Sequence, residues 1–412
     1  MKRLVLFTLI TLYLAHLSVA WQLPQFIAKF TATSRIPRFI LDTDHPWLDE
    51  NRGYLEHLDD PKHALCSLDS KLRPGNGDHT RTYPTDLFRH LEIRFNGVEA
   101  SRSGWKNAVL RLEEMLVCPA ATRDVEDFEV HIHIADAPPD RRSPWPPLPP
   151  AKLPGLFVEV LKSCRSLQRL KWYTSRLGND VFQQALLDNN LTLSSVRHLI
   201  PAGYSDFLVG ICPSLEVLEG DARLALVESV RTAKHLTKVA ITGGPWKLKL
   251  LEALLQASPN ITTLTMGGVL KDRYHYTPWD GEVHDQLLSD YVEILSRFPH
   301  LESLCLPPSW DLGLGYDGGA WCGNAYFGAD GRAYGRQDSR KNAETIEVAA
   351  DIVLLKLPDL KSLCFGGTHA NITRDEYGEL RVTWPWTGRM TEWTYEIYPE
   401  PKEGFDDMGW EF

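Results

Sequence analysis

The chain has 412 residues, of which 43% are hydrophobic and 24% charged, a globular composition that excludes wholesale disorder. Its formal net charge is −10, which excludes the broadly basic surface that nonspecific binding to nucleic acid or anionic membrane requires. Seven cysteines are too few for a scaffold built on disulfides.

In chain order, the first 20 residues have the layout of a signal peptide. Lys2 and Arg3 precede the apolar run LVLFTLITLYLA at 4–15, and Ser18 and Ala20 are small residues before a cut at Trp21. The expectation is a secreted, extracellular protein. No later stretch has the roughly 18 uncharged apolar residues of a membrane span. Three N-x-T sequons, at Asn190, Asn260 and Asn371, are then candidate glycosylation sites. Residues 21–84 show no sustained period and are broken by Pro24, Pro37, Pro46 and a PGNG turn at 74–77, so they are expected to form an N-terminal cap.

From 85 to 366 one phrase recurs. It is plainest as PSLEVL at 213–218, PNITTL at 259–264, PHLESL at 299–304 and PDLKSL at 358–363. A breaker comes first, aliphatic residues sit three apart, and a helical apolar pattern lies upstream. Phe157, Val160, Leu161 and Cys164, for example, share one helical face before SLQRLKW at 166–172. The anchors Val196, Leu215, Leu236 and Ile261 follow one another at 19, 21 and 25 residues, the period of leucine-rich repeats. The expected fold is α/β: a leucine-rich-repeat-like solenoid, or horseshoe, with a parallel β-sheet on the concave face and helices outside. Insertions are expected at 137–154, where prolines cluster, at 271–286, and at 307–340, where glycine and aromatic residues dominate. Residues 367–412, rich in tryptophan, are expected to form a C-terminal cap.

In each phrase the residues flanking the second Leu should point out of the sheet. That register places Arg169 and Lys171, His198, Val217 and Glu219, Lys238, Thr263 and Thr265, Ser303, Cys305, Ser362 and Cys364 on the open face. Cys305 and Cys364 occupy the same slot, and neighbouring strands would bring them within disulfide range, making them a disulfide candidate. Cys118, Cys164 and Cys212 end helices at a slot that is usually buried.

The junctions CPSLEVL at 212–218 and CRSLQRL at 164–170, the insertion WCGNAYFG at 321–328 and the terminal WPWTGRM at 384–390 resemble fungal leucine-rich-repeat proteins of the F-box-associated kind. That resemblance implies a substrate receptor for a ubiquitin ligase, with an N-terminal F-box that docks on the ligase adaptor. Residues 21–84 lack the Leu-Pro-x-Glu helix opening of an F-box. What carries over is partner binding through repeats.

Signals for chemistry are sparse. Gly313, Gly315 and Gly318 spell G-x-G-x-x-G, but prolines precede them and more glycines follow, which reads as a loop rather than a dinucleotide site. Glu129, His131 and His133 alternate along a strand as metal ligands could, and as any polar strand face does. Asp42-Thr43-Asp44 with His45 reads as a turn before Pro46 rather than a cation site. RRSPWPPLPPAKLP at 141–154 could present polyproline to a reader domain, and reads more simply as a stiff surface loop. The expectation is a secreted non-enzymatic scaffold with no cofactor, no metal and no nucleic-acid partner, which binds a protein or a glycan. The alternatives are an intracellular F-box-like receptor and a secreted enzyme with an unrecognised site.

Overall fold

A computed structural model describes residues 89–95, 100–116, 122–132, 149–174, 176–270, 285–316, 318–320 and 322–400. The signal-like segment, the N-terminal cap and the bulk of the proline insertion lie outside these residues. The described chain is α/β, with strands and helices in alternation, and divides into two compact units at Leu167/Gln168.

In the first unit β1 (His90–Phe95) pairs in parallel with β2 (Asp127–Ile132). Helix α1 (Ala100–Leu116) crosses between them and packs on α2 (Leu153–Ser163). The buried face of α1 is Trp105, Ala108, Val109, Leu112 and Met115. Pro154 sits in the first turn of α2, where its missing N–H costs nothing. The end of the expected proline insertion is therefore helix.

The second unit repeats one construction. Its parallel strands are β3 (Arg169–Thr174), β4 (His198–Ala202), β5 (Val217–Asp221), β6 (Lys238–Gly243), β7 (Thr263–Met266), β8 (Ser303–Leu306) and β9 (Ser362–Phe365). They lie side by side in chain order. Between them run α3 (Arg176–Asp188), a 3-10 turn at Asp206–Ile211, α4 (Leu224–Ser229), α5 (Leu248–Ala257), α6 (Asp285–Leu295) and α7 (Gly328–Lys356). Connections between neighbouring parallel strands are right-handed as a rule, and here α4, α5, α6 and α7 each pack on the next.

The breaker in the phrase has a local cause. Leu215 N–H donates to Cys212 O at 3.2 Å, closing a turn with Pro213 in its second position; Leu301 closes on Phe298 and Leu360 on Leu357 in the same way. Proline presets φ at that position, and it cannot extend the helix before it. The chain then enters the sheet through a shared acceptor. Glu216 and Val217 both donate to Arg197 O at 2.8 and 2.9 Å, Thr237 and Lys238 to Glu216 O, Thr262 and Thr263 to Thr237 O, and Glu302 and Ser303 to Thr262 O. The same two-donor step recurs at Lys361 and Ser362 on Glu302 O.

Because each strand begins at the same point of the phrase, the second Leu of every unit stacks on its neighbours. Leu218, Leu264, Leu304 and Leu363 are all buried, each contributing about 1.5–3 kcal/mol on leaving water. Burial alternates along the strands, so the opposite face is half-exposed. Parallel sheets covered on both faces read instead as unbroken apolar runs.

Past β9 the chain turns back as β10 (Thr368–His369), antiparallel to β9, then forms a hairpin of β11 (Asn371–Arg374) and β12 (Leu380–Thr383). Helix α8 (Met390–Ile397) follows. Trp384 stacks on Trp386 and leans on Phe365, Trp386 meets Trp393, and Trp386 Nε1 donates to Glu347 of α7 at 2.8 Å. The tryptophans thus lie against the end of the sheet and its last helix.

The glycine-aromatic stretch departs from expectation. The sequence reads 307–340 as loop, yet α7 opens at Gly328, itself left-handed at φ 73°, and Gly331 and Gly335 are helical. The reason is close approach. A Cβ on Gly331 would stand 2.6 Å from the Tyr326 backbone, and one on Gly335 2.8 Å from the Tyr398 ring. Packing that needs the absence of side chains here outweighs the weak helix propensity of glycine.

Candidate functional site

The half-exposed face of the second unit is a grid. Across β3 to β9 one row of Cα partners runs Arg169, His198, Val217, Lys238, Thr263, Ser303 and Ser362. A second pairs Lys171 with Ile200, and runs from Glu219 through Ala240, Thr265 and Cys305 to Cys364, which, against the open-face expectation, is buried. His198 Nε2 and Glu219 Oε1 lie 2.8 Å apart, which ties the charged end of the grid together. The other end presents short hydroxyls. This arrangement offers hydrogen bonds and charge to a partner. It assembles no nucleophile with an adjacent base.

Cys305 and Cys364 are Cα partners 4.4 Å apart, and their sulfurs are joined in a disulfide. Cys164 and Cys212 are buried free thiols, and burial pushes each up to about 12. Both are therefore thiols rather than thiolates at neutral pH and poor nucleophiles. Cys118 lies outside the described residues.

In the first unit Glu92 and Glu129 face each other across the β1–β2 ladder, with His90 opposite Asp127 and Arg94 opposite His131. Arg94 lies 2.5 Å from Glu92 and 3.6 Å from Glu129, and His90 lies 3.2 Å from Asp127. The guanidinium thus meets the like charges that a metal ion would otherwise have to neutralise. Among the described residues no group of three His, Cys, Asp or Glu is placed to hold a metal. His133, Asp42, Asp44 and His45 lie outside the described residues.

Gly313, Gly315 and Gly318 all have φ near +80° and form a loop after β8, ten residues before α7 opens. No helix N-terminus follows them directly, as a dinucleotide site needs. The loop is fastened to α7 instead. Tyr316 and Tyr326 hydroxyls donate to the two oxygens of Asp338 at 3.1 and 3.2 Å, Ser309 hydrogen-bonds Asn342, and Tyr326 stacks on Tyr398. Burial first, then the Asp338 charge, push the Tyr326 phenol up to about 12 and Tyr316 further. These phenols are fixed donors.

Two features had no recognised signal in the sequence. One is the pair of glycines at strand exits, Gly243-Gly244, Gly267-Gly268 and Gly366-Gly367, where successive connections approach one another. The other is the buried set Trp172, Thr174 and Asn179, in which Trp172 Nε1 donates to Thr174 at 3.3 Å and Thr174 to Asn179 at 2.5 Å. The glycine pairs recur six or seven residues past the first aliphatic of their phrases, a spacing that the sequence does carry.

Asn190, Asn260 and Asn371 are all exposed. Among the described residues no helix is long and apolar enough to cross a membrane. No family model matches the chain, and no curated protein is significantly similar to it.

Proposed function

We propose that the chain is a secreted, leucine-rich-repeat-like scaffold that binds a protein or glycan partner and catalyses no reaction itself. The observation that carries this reading is the grid. The same phrase enters the sheet at the same register from Arg169 to Ser362, which repeats a half-exposed row of side chains across successive strands. A surface of that kind recognises by spacing and complementarity. Sequential strand order also supports binding over catalysis. Parallel sheets hold small ligands where strand order reverses, and β3 to β9 never reverse. The disulfide between Cys305 and Cys364 supports an oxidising compartment.

The intracellular F-box-like receptor is favoured by one observation, the exposed free thiol Cys322, which an oxidising compartment would tend to pair. The two readings part on secretion. Culture medium from the native host should hold a chain beginning at Trp21; cell-retained protein that keeps Met1 would replace the first reading by the second. The binding face is tested with a photo-crosslinking residue at Thr265 on the grid or at Glu252 on the exposed side of α5. Partner peptides should be captured from position 265 and not from 252. Equal capture at both would remove the sheet face from the proposal.

A further inference from the structure

The three sequons are far apart in sequence, yet the topology brings them to one side of the second unit. Every helix-to-strand connection among parallel strands lies at the same end of the sheet, the end where strands begin. Asn190 lies in the connection from α3 to β4, and Asn260 in that from α5 to β7. Asn371 reaches the same end by another route. β10 runs back against β9, Ala370 N–H donates to Leu363 O at 2.9 Å, and Asn371 follows directly. Three residues on, Arg374 donates to Pro358 O at 2.5 Å, in the turn that leads into β9.

Each asparagine is also free to react. All three are exposed, and among the described residues none of their side-chain amides makes a hydrogen bond. Asn190 takes the left-handed slot after α3 (φ 47°), with Leu191 N–H closing on Leu186 O at 3.1 Å. That cap turns its side chain out of the helix path, and Thr192 beyond it is exposed. The other sequon hydroxyls are engaged: Thr262 donates to Thr237 O at 3.2 Å and Thr373 to Arg381 O at 3.5 Å.

The two sides differ in what glycans would cover. On the strand-entry side stand Leu187, three residues before Asn190, Leu355 at the end of α7, and Tyr377 in the β11–β12 turn, at 55%, 81% and 83% exposure. At the strand-exit side Tyr204, Trp310 and Phe327 are exposed with no sequon beside them.

We propose that Asn190, Asn260 and Asn371 form a one-sided array of N-linked glycans that covers the strand-entry side of the second unit and leaves its strand-exit side bare. The array rests on the secretory reading above. At each site the carboxamide nitrogen attacks C1 of the first sugar of a lipid-diphosphate-linked oligosaccharide. The C1–O bond breaks, the lipid diphosphate leaves, and the nitrogen loses one proton to a base of the transferase. A secretory eukaryotic cell supplies both donor and enzyme.

The test expresses the full chain in such a cell twice, with its own first 20 residues and with a leader of known secretion in their place. Enzymatic deglycosylation converts each modified asparagine to aspartate, which peptide mass mapping reads. The leader-driven protein should show conversion at all three positions, and Asn190→Gln, Asn260→Gln and Asn371→Gln should each remove one glycan. An unmodified asparagine at any of the three in that protein overturns the array. If only the native leader fails, the secretory reading falls and the array stands. Sidedness is read by hydroxyl-radical footprinting before and after deglycosylation. Leu187 and Tyr377 should gain reactivity severalfold while Tyr204 and Trp310 do not change; equal gains on both sides overturn the one-sided placement.

Discussion

Gly268 has φ +82°, and a Cβ added there would collide with Gly244 O, an atom of the neighbouring connection that has nowhere to move. Left-handed strain of about 1 kcal/mol and a backbone clash act together, so Gly268→Ala should destabilise the second unit by more than about 2 kcal/mol in urea denaturation. Gly155 is the contrast. It lies in the first turn of α2 with open space around its missing Cβ, and Gly155→Ala should stabilise the first unit by about 0.4–1 kcal/mol. At Cys212 the effect depends on pH. Burial raises this thiol from about 9 to about 12, so between those values the unfolded chain loses a proton that the folded chain keeps. Its contribution is full below pH 9 and falls by ~1.4 kcal/mol per pH unit as pH rises to 12. Cys212→Ala should flatten that alkaline limb in a series of denaturation curves; an unchanged slope would mean the thiol is not held as described.

Among the elements, α6 is tied to the strand exits through the Tyr291 hydroxyl. The buried Tyr291 hydroxyl lies 2.6 Å from Trp246 O and also contacts Leu270 O, while Trp246 Nε1 donates to Gly267 O at 3.0 Å. Tyr291→Phe would keep the ring and strip a donor from buried carbonyls, at a cost of about 1–3 kcal/mol, with faster amide exchange at Trp246 and Val269 than at β3. Nothing in the sequence marks Tyr291 for this role, because its partners are 45 and 21 residues away. The strands were legible for the opposite reason. A turn such as Cys212-Pro213-Ser214-Leu215 is closed by a bond three residues long, so the breaker alone sets where β5 begins. The same locality misled at Gly331 and Gly335: glycine composition reads as loop, yet both are helical and lie against Tyr326 and Tyr398. The open-face grid followed from strand period; the one-sided sequons did not, since Asn371 arrives there only through the reversal of β10.

At the scale of the molecule, the open question is which compartment this fold is built for, and the cysteines divide on it. Among the described residues Cys164 and Cys212 are isolated in the core, where either compartment keeps them reduced, and Cys322 is free and exposed. The other two are register partners at the end of the parallel strands, and their bond closes a separation of 59 residues that contains the glycine-aromatic loop and all of α7. A loop of that length restrains the unfolded chain enough to stabilise the fold by about 4 kcal/mol. The segment it closes is also held by weaker means, the Asp338 phenol pair and Lys361–Glu302 at 2.7 Å, an exposed ion pair worth less than about 1 kcal/mol. The disulfide should therefore dominate the stability of this end. Oxidised protein with Cys305→Ala and Cys364→Ala together should lose that amount in urea denaturation, and reductant should bring the parent chain down to the same midpoint while leaving the double variant where it is. A parent chain indifferent to reductant would show that the two thiols are unbonded in solution, and would move the balance toward the intracellular reading.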